Sequence, residues 1–132
     1  MLIVANWKAY VEDLKKAKKL FAVSKRLARM HRNGIVLAPP APLLGALAIR
    51  NTSKVAFAAQ DVSVTTGGAT TGEVTASAYA ASGATYAIVG HSERRMRGDT
   101  DSIVALKLVR SLAHGLTPSL PASLPAIRRL PV

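Results

Sequence analysis

Tyr86-Ala87-Ile88-Val89-Gly90-His91-Ser92-Glu93-Arg94-Arg95 joins a strand pattern to a cluster of chemically active side chains. Its first four residues are apolar or aromatic, which predicts a short strand buried on both faces, as in parallel sheets. Gly90 permits a sharp turn, and a histidine, a hydroxyl, a carboxylate and two guanidinium groups follow it. Ligands of α/β folds collect at the carboxyl ends of strands, so the cluster is a candidate site. Taken alone, these residues are equally compatible with a surface loop or with a structural ion-pair cluster.

Three more apolar runs predict strands, and segments of helical periodicity separate them. The predicted strands cover residues 2–5, 35–38, 55–59 and about 86–89. The predicted helices cover residues 11–30, 43–50, 73–82 and about 99–115. On the last helix, Ile103, Leu106, Val109 and Leu112 are spaced along one face. This alternation predicts an α/β fold with a parallel sheet in chain order.

The composition restricts the class of protein. A length of 132 residues with 49% hydrophobic content predicts one packed domain, and the absence of cysteine excludes disulfides and thiolate metal sites. The net charge of +11 suits a nucleic acid, an anionic membrane or an anionic substrate. Aromatic residues make up only 5%, so a nucleic-acid partner is not favoured. No apolar run is long enough for a signal peptide or a membrane helix, and we expect a cytoplasmic protein without a membrane partner.

Several motifs together resemble the triosephosphate isomerase family. Residues 88–95 resemble the signature around that family's catalytic histidine, and Asn6-Trp7-Lys8 resembles its opening motif. The segments Ala58-Ala59-Gln60-Asp61-Val62-Ser63 and Gly72-Glu73-Val74 lie between them in the family's order. The match covers about residues 2–118 and implies a partial TIM (β/α)8 barrel of about four β/α units. A complete barrel needs about 250 residues, so we expect the C-terminal half to be absent from this sequence.

The resemblance implies an activity and a role for each site residue. The family interconverts dihydroxyacetone phosphate and glyceraldehyde 3-phosphate, in glycolysis and gluconeogenesis, and uses no cofactor. His91 would be the electrophile, and Lys8 and Asn6 would stabilise negative charge on the reacting oxygens. Ser92 and Glu93 would lie behind them, with Glu93 holding Lys8 or helping to move protons. The family's general base and its phosphate-binding loops lie in the missing half, so we expect the isolated chain to be weak or inactive.

The long polar loop from Val62 to Gly72 is the segment that the family inserts into a partner subunit. Thr71 would be its interface threonine, which implies a homo-oligomer such as a dimer. The preceding residue, aromatic in the family, is Thr70 here, and Gly67-Gly68 soften the loop.

The sequence changes character after Pro118. Pro121, Pro125 and Pro131 follow at short intervals, which disfavours a central strand. We therefore expect a barrel part over residues 1–118 and an irregular tail over residues 119–132. Three functions stay open: an impaired triosephosphate isomerase that acts on a small phosphorylated triose, a non-catalytic half-barrel that self-associates or binds a complementing C-terminal half, and, less favoured, a basic nucleic-acid binder.

Overall fold

Five parallel strands form one sheet in the order of the chain. The computed structural model describes residues 1–121; the part of the predicted tail beyond them lies outside the described residues. The strands are β1 (Leu2–Asn6), β2 (Gly34–Ala38), β3 (Val55–Ala59), β4 (Tyr86–Ile88) and β5 (Thr117–Ser119). The predicted parallel sheet in chain order, a partial barrel, is confirmed.

The helices alternate with the strands, and side-chain caps decide where three of them begin. They are α1 (Leu14–Met30), α2 (Ala41–Ala48), α3 (Ala76–Ala81), α4 (Ser92–Arg95) and α5 (Asp101–Ala113). Asp13, Thr75 and Thr100 each accept a hydrogen bond from the backbone N–H three residues later. Because a capping residue keeps an extended backbone, α1 and α3 each begin three residues later than their periodicity predicted.

The fifth strand was not among the predicted strands, and it contains a proline. Thr117 donates its N–H to the carbonyl of Thr85, and the carbonyl of Ser119 accepts from the N–H of Val89. Alternate residues of a parallel strand bond to the same neighbour, so Pro118 directs its backbone away from β4. Among the described residues β5 is an edge of the sheet, and a proline is tolerated there because no ladder donor is required on the open side.

Apolar side chains cover both faces of the sheet. Alternation sends Leu37 toward the helices and Val36 toward the opposite, inner face. On the helix side, Phe21 of α1 meets Phe57 of β3 edge-on, with ring centroids 5.3 Å apart. The inner face is lined by aliphatic residues: Val36, Ala38, Ala58 and Ile88.

The buried face of α5 lies one residue away from the predicted one. Leu106, Val109 and Leu112 are exposed, whereas Val104, Lys107 and Ser111 are buried. Both sets have helical spacing, and the buried set includes a lysine whose charge is matched inside the protein, as described below.

No helix within residues 1–121 is long and apolar enough to cross a membrane.

Candidate active site

The side chains singled out in the sequence meet at the carboxyl ends of the strands. Asn6 ends β1, Lys8 follows two residues later, and His91 follows the turn after β4. A cleft of about 590 Å³ is lined by all three, together with Gln60 and Glu93. Parallel strands present their carboxyl ends at one edge, so residues far apart in sequence share one cleft.

Lys8 has a backbone conformation that is unusual for a side-chain-bearing residue. Its φ is 48°, in the left-handed region, at a cost of about 1–3 kcal/mol. The side-chain oxygen of Asn6 accepts the Lys8 N–H at 2.9 Å. Strain of this kind persists where the surroundings determine the conformation, and it is typical of functional sites.

The ammonium group of Lys8 is held by Glu93 across 85 residues of sequence. The Nζ–Oε1 distance is 2.7 Å, and the two side chains are 38% and 49% exposed. The hydrogen bond from Lys8 lowers the pKa of Glu93 and outweighs partial burial, with the positive charges of Lys8 and Arg97 acting in the same direction. The same hydrogen bond raises the pKa of Lys8, reinforced by the charge of Glu93. The cleft therefore contains a fixed cation at neutral pH.

His91 is oriented by the helix that it caps. Gly90, at φ 72°, makes the turn that brings the imidazole to the start of α4. His91 Nδ1 accepts the N–H of Glu93 at 3.2 Å. A neutral imidazole that accepts at Nδ1 carries its proton on Nε2, so Nε2–H is the ring's donor. Lys8, Asn6 and His91 together supply hydrogen-bond donors suited to an oxyanion.

Of the remaining sequence-predicted residues, Arg94 also lines this cleft, whereas Ser92, Thr71 and Arg95 do not. Ser92 is the exposed first residue of α4, and Thr71 is exposed in the loop between β3 and α3. Arg94 Nε lies 2.8 Å from Asp61, and Arg95 Nη1 lies 2.7 Å from Asp101. Both arginines thus form ion pairs, but with Asp61 and Asp101, whereas an ion-pair cluster within the motif itself would have joined them to Glu93.

Sequence reasoning missed an ion cluster around the buried Lys107, two of whose members, Asp61 and Arg94, also line the cleft. Lys107 of α5, 3% exposed, donates to both carboxylate oxygens of Asp61 at 2.9 and 2.7 Å and to Asp99 at 2.7 Å. Arg94 provides the second positive charge beside Asp61, so two cations face two carboxylates. The helical spacing of Val104, Lys107 and Ser111 could have indicated this buried face of α5. An equally regular apolar pattern on the same helix predicted a different face.

Gln60 was also missed as a site residue. Its side chain lines the cleft and donates hydrogen bonds to two backbone carbonyls. Among residues 1–121, no group of three or more histidine, aspartate or glutamate side chains is arranged to hold a metal ion.

Comparison with known proteins gives one consistent family. A family model described as triosephosphate isomerase matches residues 1–121. Similar curated proteins include triosephosphate isomerases of Ralstonia nicotianae, 44% identical, and Thermus thermophilus, 41% identical. These matches cover 89% and 91% of this chain but 47% and 48% of the relatives, so the chain spans about half their length. A crystal structure of triosephosphate isomerase from Bartonella henselae superposes with a TM-score of 0.82 at 26% identity, over 90% of this chain and 50% of that one.

Proposed function

The chain belongs to the triosephosphate isomerase family, and from that membership we propose that its cleft is the electrophilic part of an isomerase site. The proposed reaction interconverts dihydroxyacetone phosphate and glyceraldehyde 3-phosphate. The observation that carries the proposal is the convergence of Asn6, Lys8 and His91 on one cleft from separate strand ends. We propose a cytoplasmic location, where a sugar-phosphate substrate of this kind is metabolised.

The donors of the cleft fit the charge that such a reaction develops. Moving a proton between the two carbons of a triose passes through an enediolate, with negative charge on the former carbonyl oxygen. His91 Nε2–H and the Asn6 amide can donate to that oxygen, and Lys8 offers the full positive charge. Donors fixed before the reaction stabilise such charge without reorganisation. The ammonium of Lys8 also favours binding of a phosphorylated substrate.

A base for the carbon-bound proton must complete this site. Glu93 is engaged by Lys8, and Asp61 is engaged by Lys107 and Arg94. No acidic residue follows Asp101 in the sequence. We propose that the base is supplied by a complementing C-terminal half of the barrel, so the chain alone should turn over slowly; a general base contributes about 10²–10⁴-fold.

The experiment measures isomerisation of dihydroxyacetone phosphate by the purified chain, alone and mixed with the C-terminal half of a relative. We expect near-background turnover alone and a gain on mixing that His91→Ala abolishes. Lys8→Ala should weaken binding of the phosphate ester. Lys15→Ala removes the same charge from the exposed side of α1 and should not weaken it. Full turnover by the single chain would place the base in this half and overturn the proposal. Glu12 also lines the cleft, so Glu12→Gln would then test whether it is that base.

Association is a second proposal, supported by the open edges of the sheet. Strand β1 pairs only with β2 among the described residues, and its Leu2 and Ile3 are 48% and 43% exposed. An unpaired strand edge is a template for another chain. We propose that this edge takes part in oligomer formation, either with a second copy or with the complementing half. A well-folded monomer at high concentration in sedimentation would contradict it. Thr71 is the proposed interface residue for a homodimer.

A further inference from the structure

We infer that Gln60 is a positioning residue, which fixes the backbone of Lys8 and thereby aims its ammonium group into the cleft. The relevance of this role to substrate binding rests on the proposed function. The position of Lys8 can be tested without measuring turnover.

One amide nitrogen ties three strand ends together. Gln60 follows β3, and its Nε2 donates to the carbonyl of Lys8, beyond β1, at 2.9 Å. The same nitrogen donates to the carbonyl of Ala38, the last residue of β2, at 2.8 Å. An amide NH₂ has two donors, so both are used on backbone oxygens and neither is left for substrate. Gln60 thus lines the cleft but uses its donors to hold the backbone of neighbouring strand ends.

The peptide that Gln60 holds is the strained one. Residues other than glycine rarely adopt a positive φ, because the Cβ approaches the backbone. At Lys8 the N–H side is held by Asn6 and the carbonyl side by Gln60. If the carbonyl is released, the backbone can return to negative φ, and the direction of the Cα–Cβ bond changes. The ammonium group, at the end of a long side chain, would then leave Glu93.

The carboxyl group of Glu93 reports on that position without any enzymatic reaction. Lys8 is the nearest cation to it, at 2.7 Å, and Arg97 is a second positive charge that lowers its pKa. Gln60 carries no charge, so removing its amide has no direct electrostatic effect on Glu93 comparable to that of a cation. A change in the titration of Glu93 would therefore report movement of Lys8.

The decisive variant is Gln60→Met, which keeps the side-chain length and removes both donors. Its matched control is Asn51→Leu, since Asn51 also donates from a side-chain amide to a backbone carbonyl, that of Val55 at 2.6 Å, but at the opposite end of β3. Lys8→Met defines the complete loss of the cation. The titration of Glu93 is followed by carboxyl-carbon NMR in all four proteins, with urea unfolding to record stability.

We expect Gln60→Met to raise the pKa of Glu93 most of the way to its value in Lys8→Met, and Asn51→Leu to leave it at the wild-type value. An unchanged pKa in folded Gln60→Met would overturn the inference. If Gln60→Met does not fold, Lys8→Gly decides, because glycine accepts a positive φ without support. If the Lys8→Gly/Gln60→Met double variant folds where Gln60→Met does not, the inference is supported. If the double variant and Gln60→Met both fail to fold, the inference is overturned.

Binding of inorganic phosphate separates this inference from the proposed function. Phosphate affinity should fall several-fold in Gln60→Met, as in Lys8→Met. A raised pKa of Glu93 with unchanged phosphate affinity would support the positioning role of Gln60 and count against Lys8 as the anion-binding group.

Discussion

Replacing Lys107 with methionine should destabilise the fold strongly, because it breaks a buried ion cluster from one side. The lysine is 3% exposed and donates three hydrogen bonds, two to Asp61 and one to Asp99. Methionine has a similar length but neither charge nor donors. Among the described residues, Asp99, whose side chain is 9% exposed, would keep Arg94 at 3.9 Å as its one cation.

The magnitude follows from the charge that is left behind. Removing one partner of a buried ion pair costs about 3–5 kcal/mol. Arg94 stays 2.8 Å from Asp61 and can neutralise part of the excess, so we expect the lower end, about 3 kcal/mol. A domain of this size is stable by only about 5–15 kcal/mol, so the loss would be a large fraction of the total.

The assay is urea unfolding, in which the midpoint should fall at an unchanged slope. Lys15→Met removes the same charge from an exposed position on α1 and should change stability by less than about 0.5 kcal/mol. Adding Asp99→Asn to Lys107→Met should recover part of the lost stability, because it removes the negative charge of a carboxylate that has lost its cation. A Lys107→Met protein within about 1 kcal/mol of wild type would refute the reasoning, since a buried pair should cost more.

Two further predictions concern the turn and the ion pair of the cleft. Gly90→Ala should cost about 1–3 kcal/mol in thermal unfolding, because φ is 72° and the new Cβ would lie 3.2 Å from Val104; an unchanged melting temperature would contradict this strain. The Lys8–Glu93 pair should stabilise the fold between two pH limits: its contribution is present above the ordinary carboxyl pKa of 4.5 and is lost as pH falls through the lowered pKa of Glu93. It is likewise present below the ordinary amine pKa of 10.5 and is lost as pH rises through the raised pKa of Lys8. Glu93→Gln should flatten the stability profile at both limits, and an unchanged profile would count against the pair.

Local patterns were enough to predict the order of the sheet and the meeting of distant residues. Continuous apolar runs identify strands buried on both faces, and parallel pairing places their carboxyl ends together. Asn6, Lys8 and His91 could therefore be assigned to one edge before any coordinates were known. The residues around these three were harder to predict, because they make their contacts with residues distant in the sequence.

Three features escaped prediction for physical reasons. Gln60 acts through carbonyls of two other strands, and no nearby residue signals those partners. Lys107 lies in a helix with two competing periodic faces, and its carboxylate partners, in a loop after β3 and at the start of α5, decide which face is buried. The closely spaced prolines after Pro118 argued against a central strand, but β5 is short, ends at Ser119 before them, and is paired on one side among the described residues.

The chain-order sheet has a consequence for synthesis on the ribosome. Leu2 pairs with Gly34, Ile35 with Val55 and Tyr86 with Thr117, so each strand finds its partner in the segment made just before it. Each of these pairings closes a loop of one β/α unit, and the entropic cost of closure rises only slowly with loop length. Each β/α unit can therefore dock on the preceding strands as it emerges, and the cleft around Lys8 requires the chain at least as far as Glu93, which holds the ammonium group.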